Sequence, residues 1–67
     1  MDYKAFILKD IKNYGLSQFY TDKGFWSVFE YDNERYSVVL MDKNDRTKQI
    51  QSWTNISIDE VVKVIEG

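Results

Sequence analysis

One six-residue run, Tyr36-Ser37-Val38-Val39-Leu40-Met41, constrains this chain more than any other feature. Aromatic and β-branched residues favour extended backbone, and successive side chains of a strand point to opposite faces. Tyr36, Val38 and Leu40 therefore share one side, with Ser37, Val39 and Met41 on the other. A strand on a sheet with one wet face alternates apolar and polar residues. This one is apolar on both sides, so it belongs in the middle of a sheet with something over each face.

The flanking sequence supplies the rest of that sheet. Polar turn signals recur at Thr21-Asp22-Lys23-Gly24, Asp32-Asn33-Glu34 and Asp42-Lys43-Asn44-Asp45. In them Gly, Asn and Asp tolerate the positive φ of tight turns. The segments between read as strands over residues 17–21, 25–31, 35–41 and 46–53, the first being the weakest. Three hairpins in succession make an antiparallel meander. Before it, Tyr3, Phe6, Ile7, Ile11 and Tyr14 recur at helical spacing, with Asp2 placed as N-cap and Gly15 as the stop. Leu16 is placed to fold back on the last turn of that helix. After the meander, Ser57-Ile58-Asp59-Glu60 has the form of a capping box, with Ile56 and Val61 set for a hydrophobic staple. The expected fold is α+β: an antiparallel three- or four-stranded β-meander flanked by N- and C-terminal helices, in one domain over residues 1–67.

Sixty-seven residues leave a small core, and without cysteine or histidine no disulfide or Cys/His metal site reinforces it. Aromatic residues, 16% of the chain, supply the apolar mass instead. They divide between the sheet faces: Phe25, Phe29 and Tyr31 share one side of their strand, Trp26 and Val28 the other. Two short helices either cover one face each or pack together on one. The second arrangement leaves an apolar patch built from Trp26, Val28, Val39, Met41 and Ile50, with Trp53 at its margin. Contiguous exposed patches of this kind mark interfaces, and Trp, Tyr and Met are enriched in them.

The residues that carry catalysis are scarce. Absence of histidine and cysteine removes the commonest general base and the thiolate nucleophile. None of the five serines, Ser17, Ser27, Ser37, Ser52 and Ser57, lies in a nucleophile-elbow context. The carboxylate pairs Asp32/Glu34 and Asp42/Asp45 sit in polar turns, where water keeps them ionised. The run from Asp42 starts like a calcium loop, but Arg46 stands at its fifth position and neither the glycine nor the closing glutamate follows. No phosphate-binding glycine pattern occurs. The expectation is a non-enzymatic protein with no cofactor and no metal.

Charge and targeting narrow the partners. Nine Lys and Arg against eleven Asp and Glu give a net charge of −2, short of the basic field that nucleic-acid binding uses. No apolar run is long enough to span a bilayer, and the first residues lack the form of an export signal. The expected compartment is the cytoplasm. The order of elements resembles that of double-stranded RNA-binding domains, which implies phosphate contacts from a lysine cluster opening the last helix. Here that turn reads Ile58-Asp59-Glu60-Val61. Residues 26–65, three strands and a helix, also resemble the arm-type DNA-binding domains of phage integrases. That resemblance implies Arg35, Lys43, Arg46 and Lys48 as phosphate contacts. In outline the chain is similar to small acidic phage and mobile-element products, some of them inhibitors of host nucleases and CRISPR effectors. That likeness implies Asp32, Glu34, Asp42 and Asp45 as phosphate mimics.

The expected function is protein interaction through an apolar sheet face, with a partner that includes a second copy of the chain. Nucleic-acid regulation through the sheet and the 43–48 turn is the alternative, and inhibition of a nucleic-acid enzyme through acidic turns is a third.

Overall fold

The computed structural model describes residues 2–67. Six elements follow in order: α1 (Tyr3–Tyr14), β1 (Leu16–Thr21), β2 (Gly24–Asp32), β3 (Arg35–Met41), β4 (Gln49–Ile56) and α2 (Ile58–Glu66). The strands form one antiparallel sheet in the order β1-β2-β3-β4, so the apolar β3 lies inside it as its two-sided pattern requires. The weakly signalled β1 pairs with β2 from end to end, Leu16 opposite Phe29 and Thr21 opposite Gly24.

Local chemistry sets the helix ends. Asp2 accepts from the Ala5 amide at 3.2 Å, and Gly15 takes the left-handed conformation at φ 86° while its N–H donates to the Ile11 carbonyl. At α2 the Ser57 hydroxyl accepts from the Glu60 amide at 3.2 Å, and Glu60 Oε1 accepts from the Ser57 amide at 3.3 Å, completing the capping box. Lys23 reaches across from the β1–β2 turn, and its Nζ donates to the Ile65 carbonyl at the negative end of α2. Leu16 does not fold back on α1. It opens β1 opposite Phe29. Tyr14, the last residue of the helical pattern, is exposed.

Both helices pack on the same side of the sheet. Ile7 of α1 and Val61 and Ile65 of α2 share one buried cluster with Trp26, Val28, Tyr36, Val38 and Leu40. Phe19 lies against Tyr3 and Phe6 with ring centroids 5.6 Å away in each case. Trp26 stacks on Trp53 at 6.0 Å and donates its indole N–H to the Thr21 hydroxyl at 2.7 Å. Such partners let a polar-tipped aromatic sit in a core at little cost. The buried Ser17 hydroxyl donates to the Asp10 carboxylate at 2.8 Å, tying α1 to β1. On the surface Lys4 and Asp59 join the two helices at 3.3 Å.

The fourth strand begins later than its composition suggests. Asp42 Oδ1 accepts from the amides of Asn44 and Asp45, and Asp45 Oδ1 accepts from the Thr47 amide and hydroxyl. The Asp42 N–H donates to the Lys48 carbonyl at 2.8 Å and closes the loop. These local bonds hold residues 46–48 out of the ladder, and β4 runs on to Ile56 past a kink at Asn55, whose φ is 61°.

Candidate functional site

The face of the sheet away from the helices carries no covering element. Three cross-strand rungs run over it: Leu16–Phe29–Ser37, then Gln18–Ser27–Val39–Ser52, then Tyr20–Phe25–Met41. Tyr20 is 57% exposed, Ile50 52% and Tyr31, near the β2–β3 turn, 56%. Leu16 and Phe29 are also exposed, while Phe25, Val39 and Met41 are half-buried by their neighbours. Tyr20 and Phe25 lie with ring centroids 4.8 Å apart, and the Arg46 guanidinium sits 4.8 Å above the Phe25 ring. In the middle rung Gln18 donates to the Ser27 hydroxyl at 3.1 Å. The outer rungs are thus mainly apolar, apart from the buried Ser37, and the middle one mainly polar, apart from Val39.

Of the residues expected on this patch, Val39, Met41 and Ile50 are there and Trp26 and Val28 are not. Trp26 is 1% exposed and Val28 fully buried, both beneath the helices on the opposite face. A single β-bulge is the reason. The two-residue turn at Asn33-Glu34 pairs Asp32 with Arg35, a register that carried along regular strands sets Trp26 opposite Met41 and Val28 opposite Val39. Between Glu30 and Asp32 the ladder slips by one residue, so Glu30 pairs with Tyr36, Val28 with Val38 and Trp26 with Leu40. A one-residue slip exchanges the faces of everything beyond it. Trp53 belongs with Trp26 on the helix side. Tyr20, Phe25 and Phe29 take the vacated places, and the signal that finds them is the two-residue β1–β2 turn, which sets Tyr20 beside Phe25.

The charged candidates separate by position. Lys43, Arg46 and Lys48 are exposed on the loop at the Phe25–Met41 end of the face, and Asp32 and Glu34 are exposed in the turn at the other end. Arg35 is not beside the basic loop. Its Nε donates to the Asn55 side chain at 3.0 Å and one terminal nitrogen donates to the Asn55 carbonyl at 2.6 Å, bracing the β4 kink. Asp42, Asp45 and Asp32 turn a carboxylate oxygen back to their own loops, Asp32 accepting from the Asn33 amide.

Few groups here are tuned for chemistry. The Thr47 hydroxyl and amide hold the Asp45 carboxyl below its usual pKa. Burial first, then the charges of Glu30 and Glu34, raise the Tyr36 phenol, which keeps it neutral in the core. Among the described residues no pocket opens, no group of three or more potential metal ligands gathers, and no helix is long and apolar enough to cross a membrane. No protein family, curated protein or solved structure matches the chain.

Proposed function

We infer that this chain is a non-catalytic protein-interaction module that engages a protein partner through the open face of its sheet. The observation that supports this reading is the distribution of apolar surface. One face is sealed by two helices, and its core holds both Trp26 and Val28. The other displays Leu16, Tyr20, Phe29 and Ile50 in the open, with Phe25, Val39 and Met41 between them. Burying exposed apolar surface drives association, at roughly 25 cal/mol per Å² removed from water. Aromatic residues flanked by charged ends suit the anatomy of an interface, with an apolar centre and a polar rim. The turn carboxylates are solvated, and Asp32, Asp42 and Asp45 are bonded to their own backbones, an arrangement that suits a surface and not an acid–base pair. The outline shared with phage and mobile-element products fits an accessory protein that acts by contact.

Nucleic acid is the second reading, favoured by one observation: Arg46, Phe25 and Tyr20 form a cation-flanked aromatic surface of the kind on which bases stack. Asp32 and Glu34 oppose it, because a strand following the face from Arg46 meets like charge at the far end.

Affinity capture from cells of the source organism, comparing the natural chain with Phe29→Glu, Ile50→Glu and the helix-side variant Lys63→Glu, separates these readings. Proteins retained by the natural chain and by Lys63→Glu, but lost with both open-face variants, support it. Capture unaffected by the open-face variants overturns it. A salt-sensitive shift of a labelled oligonucleotide, abolished by Arg46→Glu, transfers the face to nucleic acid.

A further inference from the structure

Resting on the reading of the open face as a protein-binding surface, we propose that its partner is a second copy of this chain. The two sheets stack face to face about a two-fold axis that lies in the interface and runs across the strands. Charge is the first support. The Phe25–Met41 end of the face carries Lys43, Arg46 and Lys48, exposed and outside the ion pair that joins Lys4 to Asp59. The acids of that loop, Asp42 and Asp45, each turn an oxygen to the loop's own N–H groups. The opposite end carries Asp32 and Glu34, while Arg35 there is engaged by Asn55. Lys43, Arg46 and Lys48 outnumber Asp42 and Asp45 on the loop, whereas Asp32 and Glu34 outnumber Arg35 at the turn, so the face is polarised along the strands and complements itself only when one copy is reversed. An axis across the strands does this, bringing the Arg46 loop of each copy to the Asp32–Glu34 turn of the other.

The rungs agree with the same axis. It lays Tyr20–Phe25–Met41 of one copy over Leu16–Phe29–Ser37 of the other, so that Tyr20 meets Leu16 and Phe25 meets Phe29. The middle rung then meets its own counterpart on the axis, Gln18, Ser27 and Ser52 on their own copies and Val39 on Val39. An axis along the strands instead sets Arg46 against Arg46 and Glu34 against Glu34. Isologous contacts of this kind close on themselves and stop at a dimer.

Size places the contact in the weak class. Strands about 4.8 Å apart with about 3.3 Å per residue make this sheet a face of roughly 400 Å² in plan. Two such faces fall below the about 1,200 Å² at which standard interfaces begin, in the range of reversible association. The dimer should therefore form in the micromolar-to-millimolar range.

Sedimentation equilibrium on the full chain over that range tests it, with far-UV circular dichroism as the control for folding. The expected mass climbs from 8.0 kDa towards twice that value. Phe29→Glu, or Ile50→Glu at a still more exposed position, should hold the chain monomeric while folded. Arg46→Glu and Glu34→Lys should each associate at least about tenfold more weakly alone, because each sets like charges opposite one another twice. An equimolar mixture of the two should recover association, since every cross-copy pair is then opposite in sign. A chain that stays monomeric at millimolar concentration overturns the proposal, as does a dimer indifferent to Phe29→Glu or a mixture that does not recover. If a monomer still binds a hydrophobic dye and loses it on Phe29→Glu, the second copy is excluded but the open face stands as a site for another protein. If it binds no dye, the open-face reading falls as well.

Discussion

Trp26 and Ile50 show how little a residue's type says about its energetic role in a chain this short. Trp26 stacks on Trp53, donates to Thr21 and is 1% exposed, whereas Ile50 has half its surface in water. Truncating a buried tryptophan to alanine costs about 3–5 kcal/mol, and a domain of this length holds roughly 3–10 kcal/mol in total. Trp26→Ala should therefore lose a large part of that stability and melt far below the natural chain by circular dichroism, while Ile50→Ser should melt within a few degrees of it. Equal effects of the two would mean that the open face contributes to the monomer's core. Tyr36 gives the fold a pH dependence. Its folded pKa is raised above 10.0, chiefly by burial, so its neutral form is favoured in the folded state. That contribution is complete below the unfolded pKa near 10 and is lost as pH rises through the higher folded value. Denaturant midpoints should fall in alkali, and Tyr36→Phe should flatten that fall.

Among the elements, the bulge in β2 decides what the surface displays. Tyr31 is the extra residue, since Glu30 pairs with Tyr36 while Asp32 pairs with Arg35. Deleting Tyr31 removes the bulge but leaves Val28 opposite Val38 and Trp26 opposite Leu40, so both faces survive. Deleting Ser27 turns Trp26 and Phe25 to the wrong sides. The first deletion should keep a cooperative melt and the second should abolish it. A cooperative melt from the second would show a register free to slip. The same bulge marks the boundary of what the residues reveal on their own. Both helices are legible because their caps are local: Asp2, Gly15 and the Ser57–Glu60 pair act within a few residues of each other. Val39 and Met41 are legible as surface groups because β3 alternates through them, whereas Ile50 is exposed where the β3–β4 ladder skips it between Gln49 and Gln51. Trp26 and Val28 are misplaced by simple alternation, because no residue between Phe29 and Asp32 announces a slip that only pairing with β3 creates. The start of β4 is hidden similarly, Thr47 and Lys48 being drawn into hydrogen bonds with Asp45 that composition does not display.

At the scale of the molecule, the single chain is already as compact as its length allows. Its Cα radius of gyration is 11.0 Å, and a folded domain of this length is expected near 11 Å. The helix-covered core is complete without a partner, so association through the other face adds to stability and does not create the fold. This separates the proposed dimer from an obligate one, whose protomers unfold on dissociation. A partner that binds only the folded state raises stability by mass action. At a concentration about tenfold above the dissociation constant, the gain is about 1 kcal/mol per chain. In a domain of this size that corresponds to a melting temperature about 4–8 °C higher. The natural chain should therefore melt at rising temperature as its concentration passes from micromolar to millimolar. Phe29→Glu should melt at one temperature throughout, close to that of the dilute natural chain. High salt should reduce the concentration dependence, because it screens the pairing of the Arg46 loop with the Asp32–Glu34 turn at the exposed rim. A natural chain whose melt ignores concentration would leave the second face without a copy of itself to bind. A Phe29→Glu chain that melts far below the dilute natural chain would place Phe29 in the monomer's own core.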